Sequence, residues 1–164
     1  MTTTAEAVEA VRQALRAIET PWEESGPGRF AVTLPGERKQ QTVCTLAVRD
    51  HSLTISAFVA RHPDENHEAV YRWLLERNAR AAGVAFTVDG AGDIYLVGRL
   101  PLEAVSEEQV DRLLGAVLEL SDGSFNTILE LGFASAIRTE WRWRLDRGEP
   151  TANLAAFEHL RPTD

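Results

Sequence analysis

Residues 30–59 read FAVTLPGERKQQTVCTLAVRDHSLTISAFV, and the period of this stretch decides the fold. Phe30, Val32 and Leu34 alternate with Ala31 and Thr33. Cys44, Leu46 and Val48 repeat the alternation within residues 41–49, and Leu53, Ile55, Ala57 and Val59 repeat it once more. A period of two sends successive side chains to opposite faces of a strand. Pro35-Gly36 with the charged tip Glu37-Arg38-Lys39, and then Asp50-His51, supply the turns. Three such strands read as an antiparallel meander with one apolar face.

On either side the period lengthens. Upstream, Val8, Val11, Leu15 and Ile18 fall on one face of a helix predicted over residues 5–19. Thr3 and Glu6 have the spacing of a capping box, and Pro21 stops the helix. Residues 22–28 read as a loop. Downstream, Pro63 with Asp64 and Glu65 suits the start of a helix over about residues 66–81, since acids favour a helix N-terminus. Residues 84–88 and 94–97 read as strands joined by Asp89-Gly90-Ala91-Gly92. Ser106 and Gln109 open another helix, carrying Val110, Leu113, Leu114, Val117 and Leu118. The polar run Ser121-Asp122-Gly123-Ser124 is expected to interrupt it and to cap a last helix with Phe125, Ile128, Leu129, Phe133, Ile137 and Trp141 on one side.

The expected fold class is therefore α+β. It has a five-stranded antiparallel sheet, helices packed on one face, and the order α-βββ-α-ββ-αα. Residues 1–147 form one domain and residues 148–164 a C-terminal tail, which Leu154, Phe157 and Leu160 can dock.

The charge balance narrows the function. Seventeen basic against 25 acidic residues leave a net charge of -8, which repels phosphate backbones and anionic lipid, so neither nucleic acid nor membrane is an expected partner. Lys39 is the one lysine, and the other cations are arginines, suited to pairing with carboxylates. A lone cysteine, Cys44, forms no internal disulfide, and no signal segment or long apolar run is evident, which places the chain in the cytoplasm.

Motifs for chemistry are fragmentary. Gly26-Pro27-Gly28-Arg29-Phe30-Ala31 has the letters of a dinucleotide fingerprint but precedes a strand, so no helix N-terminus faces a pyrophosphate. His67-Glu68-Ala69-Val70-Tyr71 is half of a zinc-protease motif with Tyr71 where the second histidine belongs. His62, Asp64 and His67 are the nearest approach to a metal site, and solvated helix-start residues are the simpler reading. Cys44 on an alternating strand reads as a small buried side chain. Asp89 and Asp93 offer too few oxygens for calcium. No catalytic residue, cofactor or metal is assigned. Trp141-Arg142-Trp143-Arg144 places two indoles on different helix faces, one for the core and one for contact with a protein.

Four stretches resemble the YbjN family in its actinobacterial branch: residues 34–39, 61–75, 92–98 and 122–133. Among them are Arg61-His62-Pro63-Asp64-Glu65-Asn66-His67-Glu68 and Asp122-Gly123-Ser124-Phe125-Asn126-Thr127. The resemblance covers about residues 20–147. It implies a fold similar to type III secretion chaperones, which commonly dimerise and hold an extended partner segment, and it carries the label of bacterial sensory transduction regulators. It brings no catalytic residues. The expected function is a non-enzymatic, dimeric module, chaperone-like or regulatory, that binds a protein or peptide. A small-ligand-sensing regulatory domain is the alternative. Pro63, Asp64, Glu65, Asn66, Asp122, Ser124, Asn126, Trp141 and Trp143 are the candidate partner-binding residues.

Overall fold

A computed structural model describes residues 1–163. The first helix, α1 (Thr4–Ala17), carries the expected capping box: Glu6 N–H donates to Thr3 Oγ1 at 3.2 Å and Thr3 N–H to Glu6 Oε2 at 2.7 Å. Six strands follow, interrupted by α2 (His67–Asn78): β1 (Trp22–Gly26), β2 (Arg29–Pro35), β3 (Gln41–Val48), β4 (Ser52–Ala60), β5 (Val84–Val88) and β6 (Ile94–Pro101). Helices α3 (Glu107–Gly132) and α4 (Ala134–Arg147) and a 3-10 segment (Ala152–Leu160) complete the chain.

The sheet has six strands in the order β1-β2-β3-β4-β6-β5, every neighbouring pair antiparallel, so the expected five-stranded sheet is one strand short. The missing strand is β1, which sequence reading places in a loop. Trp-Glu-Glu-Ser-Gly has no apolar alternation, and its strand form comes from pairing with β2, where Trp22 faces Val32 and Glu23 faces Ala31.

The alternation of the meander is real. Phe30, Val32, Leu34, Cys44, Leu46, Val48, Leu53, Ile55, Ala57 and Val59 are all buried under the helices. From α1 the buried set is Ala7, Val11, Ala14 and Leu15, with Val8 and Ile18 at its border. Helix α3 crosses the sheet against β3, β4, β5 and β6. It runs unbroken through Ser121–Ser124, so the expected interruption is absent and the chain breaks at Phe133 instead. Helix α4 leaves the sheet and packs on the 3-10 segment through Ile137, Trp141, Leu154 and Phe157, so the tail is docked.

The other sheet face carries no helix. Glu23, Ala31, Thr45, Ser56, Val97 and Ala85 form one row across all six strands. Val43, Phe58 and Val97 remain exposed on this face.

The two sheet edges differ. On β5, the Asn78 side chain accepts from Phe86 N–H at 2.7 Å and donates to Phe86 C=O at 3.1 Å. The outward backbone groups in the middle of that edge are thus already used. On β1, Thr33 N–H donates to Pro21 C=O at 2.9 Å, which by alternation turns the backbone of Trp22 and Glu24 outward, with no partner among the described residues.

Candidate functional site

Of the residues singled out from sequence, Pro63–Asn66 and Asp122–Asn126 lie where loops meet the C-terminal half of α3, and the two tryptophans lie on α4. Pro63 is buried against Gly132, and a Cβ on Gly132 would lie 2.9 Å from Pro63 Cβ, so this approach requires glycine. Asp64 and Glu65 N–H both donate to Gly132 C=O, at 2.9 and 3.2 Å, and Asn66 Nδ2 donates to Leu131 C=O at 3.0 Å. These bonds satisfy carbonyls that the end of α3 leaves unpaired. Asn66 adopts φ 52°, a left-handed conformation that asparagine tolerates better than most residues. Glu65 caps the next helix: Ser135 N–H donates to Oε1 at 2.7 Å and Ser135 Oγ to Oε2 at 3.0 Å. The Asp64 carboxylate lies on Arg61 at 2.7 and 3.1 Å, and this pairing holds its pKa below the usual range. Arg61 also stacks over the Phe133 ring, 4.4 Å from its centroid.

Asp122 ties the middle of α3 to the β2–β3 turn. Its Oδ1 accepts from the backbone N–H groups of Glu37, Arg38 and Lys39 at 2.9, 2.8 and 2.9 Å. Burial alone would raise its pKa, but these three donors and the Arg38 charge outweigh that and lower it. Gly36 sits so close beneath Lys39 C=O and Asp122 that no Cβ fits there. Ser121 shares a buried 2.8 Å hydrogen bond with Thr42 Oγ1, Ser124 is buried, and Asn126 is half-buried.

The two indoles separate as their spacing implies. Trp141 is 1% exposed and donates Nε1–H to Phe157 C=O at 3.0 Å, while Trp143 is 44% exposed beside Arg147 and Arg144.

These contacts frame a groove of about 580 Å3 between the end of β4, α3, α4 and the 3-10 segment. Phe58, Phe125, Phe133 and Phe157 line it, with Lys39 at its rim. The groove exists because strands β3 and β4 part: their pairing stops at Cys44–Ala57, while β4 continues beside β6 to Ala60. Phe58 C=O, without a β3 partner, accepts from Lys39 Nζ at 2.7 Å. Sequence reading left the groove unseen. The available signals were a large apolar Phe58 on the otherwise polar side of its strand and a single lysine in an arginine-rich chain.

The fragmentary motifs have other employment. The Gly26–Arg29 stretch is the β1–β2 hairpin turn. The His62 and His67 rings lie 4.9 Å apart, but His67 Nε2 donates to Pro63 C=O at 2.7 Å and Asp64 pairs with Arg61, and among the described residues the three form no group that could hold a metal ion. Asp89 accepts from Ala91 and Asp93 N–H, and Asp93 from His62 N–H. Burial pushes the Cys44 thiol up to about 12, with Lys39 acting weakly the other way, so at neutral pH it is a thiol and not a nucleophile. Among the described residues, no helix is long and apolar enough to cross a membrane.

Comparison with known proteins gives three results. The sequence profile of the YbjN family, described as "Putative bacterial sensory transduction regulator", matches residues 7–130. Relatives include Uncharacterized protein Rv0487 of Mycobacterium tuberculosis, 54% identical over 149 residues (91% of this chain, 81% of the relative). Uncharacterized protein ML2442 of Mycobacterium leprae is 49% identical over 159 residues (94% of this chain, 86% of the relative). Among solved structures, the ExsC–ExsE complex aligns with TM-score 0.57 and 16% identity, covering 78% of this chain and 97% of that one. The Yersinia pestis type III secretion chaperone SycH, solved in complex with a stable fragment of YscM2, aligns with TM-score 0.52 and 17% identity, covering 79% and 99%. At such identities the likeness concerns the fold alone.

Proposed function

The chain belongs to the YbjN family, and from that premise we propose that it is a non-enzymatic protein-binding module, chaperone-like or regulatory, that holds an extended segment of a partner in the cytoplasm. The observation that carries the reading is the unequal pair of sheet edges. The β5 edge is taken by Asn78, while β1 presents the outward backbone of Trp22 and Glu24 beside an uncovered sheet face. An extended segment added there gains main-chain hydrogen bonds, and its alternate side chains reach that face. A hollow lined by Trp22, Ala31, Thr33 and Val43 lies directly beside β1. The similarity of fold to SycH, which was solved with a fragment of YscM2, supports the reading by analogy.

The reading includes a dimer. Leu75 is 67% exposed and Val88 44%, flanking a hollow between α2 and β5 that suits a second copy. Of the residues picked from sequence, Trp143 keeps free aromatic surface for a partner, and the Pro63–Asn66 and Asp122–Asn126 stretches hold the frame that presents it.

The test is recovery of the tagged native protein, identification by mass of what it retains, and comparison with Glu24→Pro. That change removes an outward N–H and leaves the β1–β2 ladder whole, and Glu24→Ala, which loses only the carboxylate pair with Arg12 at 2.9 and 3.0 Å, serves as its control. The retained partner is expected to be lost in Glu24→Pro. A strict monomer that retains nothing, or a partner held equally by Glu24→Pro, refutes the reading.

A further inference from the structure

Three charged side chains line the groove between β4 and α4: Lys39, Arg61 and Glu140. Arg61 is neutralised by Asp64 at 2.7 Å, and Glu140 by Arg144 at 2.6 Å. Lys39 has no carboxylate within ion-pair distance among the described residues, although the chain as a whole is acidic. Its ammonium spends one of three N–H donors on Phe58 C=O and faces the rings of Phe58 and Phe125 at 5.5 and 5.9 Å. The neighbouring Asp122 holds the Lys39 backbone but pairs its second oxygen with Arg38.

A half-buried, uncompensated cation is costly unless something answers it. Burial lowers the pKa of Lys39, with the proximity of Cys44 opposing, as expected for an ammonium short of counter-charge. Desolvation, however, is what makes a charge-assisted hydrogen bond strong once an anion arrives. Apart from the Asn153 amide, the remainder of the wall is apolar, Phe58, Phe125, Leu129, Phe133, Ile137 and Phe157 among it, and the volume of about 580 Å3 is that of a small-molecule site. The position of the cation is fixed from behind, because Asp122 clamps the turn that carries it.

We propose that this groove is a binding site for an amphiphilic monocarboxylate, whose apolar body lies against the phenylalanines while its carboxylate takes the free N–H groups of Lys39. The site is separate from the β1 edge and does not depend on the partner-binding reading. A carboxylate fits better than a cation or a neutral body because the two other charges of the groove are already matched and the one unmatched charge is positive.

The test titrates the full chain with decanoate, decanol and decyltrimethylammonium, read by calorimetry and by NMR shifts. Three variants accompany it. Lys39→Met keeps the stem without the charge, Lys39→Arg restores a charge, and Ala136→Trp fills the groove from an exposed position on α4. Decanoate is expected to bind saturably, shifting Phe58, Phe125 and Leu129, with decanol roughly tenfold weaker and the ammonium amphiphile weaker still. Lys39→Met should bind decanoate and decanol alike, Lys39→Arg should keep the preference, and Ala136→Trp should bind neither. Equal binding of decanoate and decanol by the native protein, saturation at residues outside the groove, or no binding below the micellar range overturns the proposal.

Discussion

Asp122 holds Lys39 by its backbone, Oδ1 to N at 2.9 Å, and through the same oxygen holds Arg38 and Glu37. An oxygen accepting three N–H groups from one turn makes that turn part of α3. Asp122→Ala leaves three donors without a partner and is expected to destabilise the fold by on the order of 2 kcal/mol in urea denaturation. Asp122→Asn keeps an acceptor and costs less. The pKa of Asp122 is lowered in the folded state, so its contribution is complete above the ordinary carboxylate range and disappears as pH falls below it. The stability gap between native protein and Asp122→Asn therefore narrows with acidification and does not change from neutral to mildly alkaline pH.

Asn78 takes both outward backbone groups of Phe86. Asn78→Ala removes two hydrogen bonds and unmasks the β5 edge. A loss of about 1–2 kcal/mol is expected, together with concentration-dependent assembly beyond the dimer in sedimentation experiments.

Glu65 caps α4 through Ser135, and the Gly132 Cα sits under Pro63. Glu65→Ala should cost about 1 kcal/mol and raise amide exchange at the start of α4, leaving the sheet protected. Gly132→Ala should cost about 1–3 kcal/mol because Pro63 and Val70 are packed too closely to yield freely. Equal stability in both variants would mean that the loop does not hold the helix junction.

Leu75 tests the dimer. Leu75→Glu should give a folded monomer by light scattering, since the side chain is 67% exposed in the single chain, with a thermal midpoint that no longer rises with protein concentration.

Cys44 is fully buried, with its pKa pushed up to about 12. Labelling by a disulfide reagent at neutral pH should run no faster than opening of the sheet, and should accelerate with denaturant. Rapid labelling of folded protein would contradict the burial of β3.

The parts of the fold legible in sequence are those where local period and final position agree. Leu53, Ile55, Ala57 and Val59 alternate and are all buried, and Thr3 with Glu6 closes the box its spacing announces. The failures share another cause. Ser121, Asp122, Gly123 and Ser124 are poor helix formers, yet they lie within α3 because distant groups employ them: Thr42 takes Ser121, and the Glu37–Lys39 turn takes Asp122. Strand β1 is a strand only by virtue of β2. The groove arises where β3 and β4 diverge, which no window of sequence contains. Trp141 and Trp143 were separable in sequence because their adjacent alternation on a helix sends them to different faces.

Because Asn78 occupies the middle of one margin of the sheet, lateral growth is disfavoured there and ends after a single addition at the other. Under the proposed reading, a guest strand and a second copy docking margin to margin would compete for the same place beside β1. Pairing through α2 would leave that place vacant in each subunit. The stoichiometry would then be two guests per dimer, and no open-ended fibre could propagate through the sheet.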